Sequence, residues 1–183
     1  MISREEALKL LRQKLRNEKL IKHCIAVEAI MKKLAEHLGK DVNLWMLVGL
    51  LHDLDYEETK NDFSKHGIIS AEMLKGKLPN EAIEAISAHN DLTGIKAKSD
   101  LAIALRAADQ LSGLIIAAAL VMPNKRLEEV KVDTLKRKIK QKDFARRVDR
   151  QKIKQIEEIG VALDDFLQIG LDALKGIHEE LGL

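Results

Sequence analysis

Apolar residues recur at three- and four-residue intervals along most of the chain, the spacing of helices that bury one face. The first such segment opens at Ser3, with Glu6 at capping-box distance, and runs toward Arg16. A second begins near Asn17 and sets Leu20, His23, Val27, Ile30 and Leu34 on one stripe before Gly39 stops it. The third, Val42 to Asp53, is apolar almost throughout, which places it in the centre of a bundle. Tyr56 to Ser64 (YEETKNDFS) is polar and unpatterned, so it reads as a loop that delivers Ser64 as the cap of a helix on which His66, Ile69 and Met73 share a face. Pro79 and Asn80 open a short helix with the stripe Ala82, Ala85, Ile86 and His89. After a polar turn to Ser99, a long helix from Asp100 toward Val121 stacks Leu101, Leu105, Asp109, Ser112 and Ile116, and Pro123 ends it. The remainder reads as shorter helices with a break near Val130 to Asp133, and a closing amphipathic helix starts at about Leu163.

Composition agrees with an all-α fold. Two prolines, ten glycines and an abundance of Leu, Ala, Ile, Lys and Glu suit packed helices, and 183 residues suffice for one core. No repeat or Gly/Ser/Pro-rich linker divides the chain. The expected organisation is therefore a helical core over 1–124, with 125–183 packed on it as lid or buttress. The net charge of +2 conceals an uneven distribution: residues 125–154 carry thirteen Lys/Arg against five acids, and 155–183 one Lys against seven acids. Two helices that face solvent or each other explain this pattern, with an anionic ligand or nucleic-acid surface as the second reading. The single Cys24 excludes an internal disulfide and a cysteine zinc cage, so a reducing compartment is expected and the cytoplasm with it. The opening MISREEALKL has no secretory or transit pattern, and the apolar run Leu114 to Met122 falls short of the roughly 20 residues of a membrane span. No membrane partner is expected.

The anomaly is chemical. His23, His52, His66, His89 and Asp109 come from separate predicted helices, and each falls on a core-facing position or beside one. A lone interior histidine is usually a hydrogen-bonded core residue. An ionised carboxylate on an apolar stripe must instead be neutralised or paired. Four imidazoles and two carboxylates converging are more simply read as ligands of a divalent cation. The neighbours His52 and Asp53 point about 100° apart on a helix, so they can grip one ion from two directions, or the carboxylate can bridge two. His37 and His178 lie near helix ends and face water, while Cys24, Trp45 and Tyr56 read as packing. An aromatic content of 3% leaves few stacking platforms, so nucleic acid is an unlikely partner.

The order of His23, the dyad His52-Asp53 in GLLHDLDYE, and Asp109 in ALRAADQL resembles the HD superfamily of metal-dependent phosphohydrolases. His66 in KHG and His89 in SAHND are similar to the extra histidines of its two-metal subgroup, and FARRVDRQKI and LDDFLQIGLDAL resemble the tails of HD-domain hydrolases. The dyad reads HDLD in place of HDIG, and the GYP signature of cyclic dinucleotide phosphodiesterases is absent. Symmetrical diadenosine polyphosphate hydrolases show a similar spread of histidines.

The resemblance implies an HD-type helical bundle in which His23, His52, Asp53 and Asp109 hold one ion, while His66, His89 and a bridging Asp53 hold a second. Asp53 and His52 are then the catalytic pair. The ions activate water for attack on a phosphoester or phosphoanhydride of a small phosphorylated molecule, a nucleotide by expectation. An all nitrogen and oxygen ligand set favours iron or manganese, with magnesium, cobalt, nickel and zinc as alternatives. Asp55 is a candidate proton relay or ligand-orienting partner, and Arg106 and Lys65 are candidates to meet a substrate phosphate. A homodimer is open. Two other readings stand beside this one: a di-iron oxygenase on the same fold, and a binding module with a structural metal whose basic 125–154 segment meets an acidic partner.

Overall fold

Local signals close the first three helices. In α1 (Arg4–Lys14) the Ser3 hydroxyl accepts the Glu6 N–H while the Glu6 carboxylate accepts the Ser3 N–H, so the capping box forms. The helix α2 (Glu18–Leu38) is capped by Asn17 and ends at Gly39, and α3 (Val42–Leu51) is capped by Asp41. The computed structural model describes residues 1–183, and the fold is all-α with no β-strand. Then follow α4 (Tyr56–Thr59), a 3-10 turn (Phe63–Lys65), α5 (Ile68–Leu74), α6 (Asn80–Ser87) and a second 3-10 turn (Asp91–Thr93). The long α7 (Asp100–Leu120) leads through a short turn to α8 (Val132–Lys140), α9 (Arg150–Lys154), α10 (Leu163–Lys175) and α11 (His178–Leu181).

The central element is α7. It packs against α2, α3, α6, α8, α9 and α10, and Leu101 through Ala108 are buried without interruption. By length and composition α7 could cross a membrane, but 72% of its apolar stretch lies inside the protein, as the core helix of a bundle does. The apolar run Leu114 to Met122 is only the last part of this helix, because Arg106 and Asp109 interrupt the apolar sequence ahead of it. The helix α3 packs mainly on α2. At their crossing, a Cβ on Gly49 would stand 3.0 Å from the Glu28 Cα and backbone N, so only glycine lets the two backbones approach so closely.

The C-terminal third shares this core. One cluster of 48 buried residues runs from Ala7 to Leu181 without a boundary near 124. Within it, α10 buries Phe166, Leu167, Leu171 and Leu174 and packs on α2 and α7. The basic and acidic blocks meet at one ion pair, Lys136 Nζ to Asp164 Oδ2 at 2.6 Å, between α8 and α10.

Two local expectations are corrected. Residues 56–64 are not a plain loop: they form α4 and enter a 3-10 turn, where Asp62 caps Ser64 instead of Ser64 capping a helix. Gly67, at φ 92, turns the chain between His66 and α5, so the buried face of α5 is Ser70, Ala71 and Leu74, and His66 stands outside the helix it was placed on. Likewise α3 ends at Leu51 with His52 as its cap, and His89 lies beyond α6. Three ligand candidates thus sit where helices begin or end.

The Gly49→Ala variant is expected to lose about 1–3 kcal/mol of stability in urea unfolding, because the added methyl meets backbone atoms that cannot rotate away.

Candidate metal centre

The six donors meet on one side of α7. Asp53 Oδ1 lies 3.3, 3.2 and 3.4 Å from the Nε2 atoms of His52, His66 and His89, and its Oδ2 lies 3.7 Å from His23 Nε2. Asp109 Oδ1 lies 3.0 Å from His23 Nε2 and 3.8 Å from His52 Nε2. Ligand atoms close enough to share an ion come from His23, His52 and Asp109 in one group and from His52, Asp53 and His89 in another.

The protonation pattern follows from what stands behind each ring. Three Nδ1 atoms face acceptors: Gly49 O for His52 (2.8 Å), Ile86 O for His89 (2.6 Å) and the Asp55 carboxylate for His66 (2.8 Å). The fourth, His23 Nδ1, faces Ser112 Oγ at 3.2 Å, and that hydroxyl spends its own hydrogen on Asp109 O. Every Nδ1 must therefore carry the proton, which leaves each neutral ring with its Nε2 lone pair aimed into the cluster. His66 Nε2 and His89 Nε2 face each other at 3.1 Å. His52 Nε2 is fully buried and has no hydrogen-bond partner. Lone pairs and carboxylates facing one another repel, so the arrangement needs positive charge between them. Divalent cations fit that need, since imidazole and carboxylate donors are what such ions take.

Protons answer the same need. Burial opposes charge on His52, but the carboxylates of Asp53 and Asp109 outweigh it and raise the imidazole to about 9. Burial of His66 is outweighed by Asp53 and Asp55, which raise it to about 10. Burial would also raise the carboxyls of Asp53, Asp55 and Asp109, yet the imidazoles around them hold all three below the usual carboxylate range.

Asp55 is completely enclosed and fully engaged. It takes hydrogen bonds from His66 Nδ1, Gly67 N and Ser70 N, each at 2.8 Å, and so fixes both the ring and the turn that presents it. Gly67 is required there because a Cβ would fall 2.9 Å from the His89 ring in addition to its positive φ. The cluster opens to solvent through a cleft of about 350 Å³ lined by His23, Asp53, His66, His89, Asp109 and Lys152, among others.

Arg106 and Lys65 are not brought to this cleft. Arg106 turns to Asp91 (2.7 Å) and Ala88 O (3.1 Å), and Lys65 pairs with Asp62 at the surface, 3.2 Å away. Asp62, one turn before Lys65 in the chain, holds that ammonium, and Asp91, in the 3-10 turn ahead of α7, holds the Arg106 guanidinium. His37 and His178 stay outside the cluster, and Cys24 is buried. Tyr56 packs edge-on to His66 and Phe63 and also lines the cleft. Sequence reading missed three residues here: Asn90, Gln110 and Lys152. Asn90 and Gln110 adjoin recognised residues and could have been flagged. Lys152 is one of thirteen basic residues in its segment, with nothing to single it out.

Comparison with known proteins gives a consistent picture. A model of the HD domain matches residues 20–114. Ribonuclease Y of Acetivibrio thermocellus is 30% identical over 168 residues, which cover 90% of this chain and 32% of the relative. Ribonuclease Y of Lawsonia intracellularis is 34% identical over 97 residues, 52% of this chain and 18% of the relative. Ribonuclease Y of Clostridium perfringens (strain SM101) is 29% identical over 173 residues, again 90% of this chain and 32% of the relative. The chain spans about a third or less of the length of these curated relatives. No solved structure matched.

Two outcomes are expected. In chelator-treated protein, His52 and His66 have folded values (about 9 and about 10) above the ordinary 6.5, so their contribution to stability is full below pH 6.5 and is lost as pH rises through 9 and 10. The depressed carboxyls contribute above about pH 4 and lose it on further acidification. Urea midpoints at pH 6, 8 and 10 should therefore fall steadily, and a flat profile would contradict the charge pairing. Separately, Asp55→Ala should weaken divalent-metal binding about 10- to 100-fold in a chelator competition, by releasing His66.

Proposed function

The chain belongs to the HD-domain family, and from that membership and the geometry of the cluster we propose that it is a metal-dependent phosphohydrolase cleaving a phosphoester or phosphoanhydride bond. The observation that carries the reading is the convergence of four Nε2 lone pairs and two carboxylates at the floor of an open cleft. His23, His52 and Asp109 would hold one divalent cation, His66 and His89 a second, with Asp53 between them. Bound there, such ions lower the pKa of water and polarise phosphoryl oxygens.

The chain's own residues do the rest. Gly49 O, Ile86 O, Asp55 and Ser112 hold the four imidazoles from behind with each Nε2 turned into the cluster. Asp53 turns one oxygen to three rings and the other to the fourth, which suits a bridging role. Gln110 donates to Asp109 Oδ2 at 2.7 Å and leaves Oδ1 to face His23 and His52.

The substrate expectation is widened. Low aromatic content removes base-stacking platforms, but phosphate recognition needs none, and the relatives are named ribonucleases. RNA phosphodiesters therefore join nucleotides as the bonds to test first.

Purified protein should carry roughly two transition-metal ions per chain by elemental analysis, and should hydrolyse members of a panel of nucleotides, dinucleoside polyphosphates, short RNAs and artificial phosphodiesters. The Asp53→Ala variant should lose at least about 100-fold in kcat and most of its metal. Full turnover in that variant would sink the proposal.

A further inference from the structure

Lys152 is the only lysine or arginine among the residues lining the cleft. It lies on α9, beyond the segment that matches the HD domain, and its side chain is only 14% exposed. Its Nζ stands 2.9 Å from Asp91 Oδ2, and the other oxygen of Asp91 is 2.7 Å from Arg106 Nη1. One carboxylate between two permanent cations leaves a surplus positive charge. Arg106 is enclosed at 9% exposure and also donates to Ala88 O, so the surplus is expressed at Lys152, which lines the same cleft as His89 and Asn90.

The helix that carries Lys152 is held to the metal cluster itself. The Asp149 N–H donates to Gln110 Oε1 at 2.8 Å, and Gln110 in turn donates to Asp109. Arg150 ties down the loop ahead of α9 by donating to the carbonyls of Gln141, Phe144, Ala145 and Val148. A partly exposed ion pair adds little to stability, whereas a lysine ordered in a cleft loses much side-chain freedom. The arrangement makes more sense as a preformed anion site than as a brace.

We propose that Lys152 forms the phosphate-binding subsite of this cleft and meets a phosphoryl oxygen of the substrate that the metal-binding residues leave free. The inference rests on the phosphohydrolase reading and adds a charged contact supplied by the C-terminal helices. Asp91 positions the ammonium and limits its charge.

The test is calorimetric titration of inorganic phosphate into manganese-loaded protein, with metal content and unfolding temperature measured in parallel. Lys152→Met should weaken phosphate at least about tenfold with metal content unchanged, and Lys152→Arg should restore most of it. Asp91→Asn, which removes a negative charge and keeps both cations, should bind phosphate as well as the parent or more tightly. A merely structural pair predicts the opposite: both variants lower the unfolding temperature alike and leave phosphate affinity unmoved. That result, or a parent protein that binds no phosphate, overturns the subsite. If turnover is normal and Lys152→Met keeps the parental KM, the subsite fails and the hydrolase reading stands. If phosphate binding depends on Lys152 but no phosphate bond is cleaved, the hydrolase reading fails and the subsite stands.

Discussion

Everything in this molecule is arranged around the Asp53 carboxylate, held in the interior among four imidazoles. A buried carboxylate without compensation costs several kcal/mol, more than most single contacts in a fold contribute. The surrounding helices supply that compensation, but only because each histidine is locked from behind by an acceptor or a committed hydroxyl. The fold therefore stores a charge problem whose best solution is a divalent cation. A domain of this size has little stability to spare for such a concentration of polar groups unless they serve a purpose.

The placement of the donors follows from where helices stop. His52 caps α3, His66 precedes α5 and His89 follows α6, so their backbones are free of the helical ladder and can angle the rings inward. His23 and Asp109, within α2 and α7, form the rigid side of the cluster. Metal centres on helix termini combine the precision of packed elements with the directional freedom of turns. Of the C-terminal helices, α9 reaches the cleft wall through Lys152 while the others pack into the core.

Much of this was legible in the residues. Helical periodicity located the principal helices because their apolar stripes are long, and the ligand candidates stood out because titratable groups on such stripes are rare. The failures were local. A glycine at positive φ redirects the chain at Gly67, and polar composition concealed α4, since a one-turn helix has no period to detect. Arg106 and Lys65 were plausible phosphate contacts by position alone. Asp62 is close enough in the chain to be read as the partner of Lys65, whereas the pairing of Arg106 with Asp91 is visible only in three dimensions. Lys152 marks the opposite limit, a residue without any sequence signal that tertiary packing carries to the wall of the cleft.

The most direct measurement is a crystal structure of manganese-loaded protein with anomalous scattering recorded near the manganese edge. The account predicts two anomalous peaks on either side of Asp53, about 3.5–4 Å apart, each within bonding distance of Nε2 atoms. A map with no peak there, the rings being joined instead to one another and to Asp53 by protons, would contradict it.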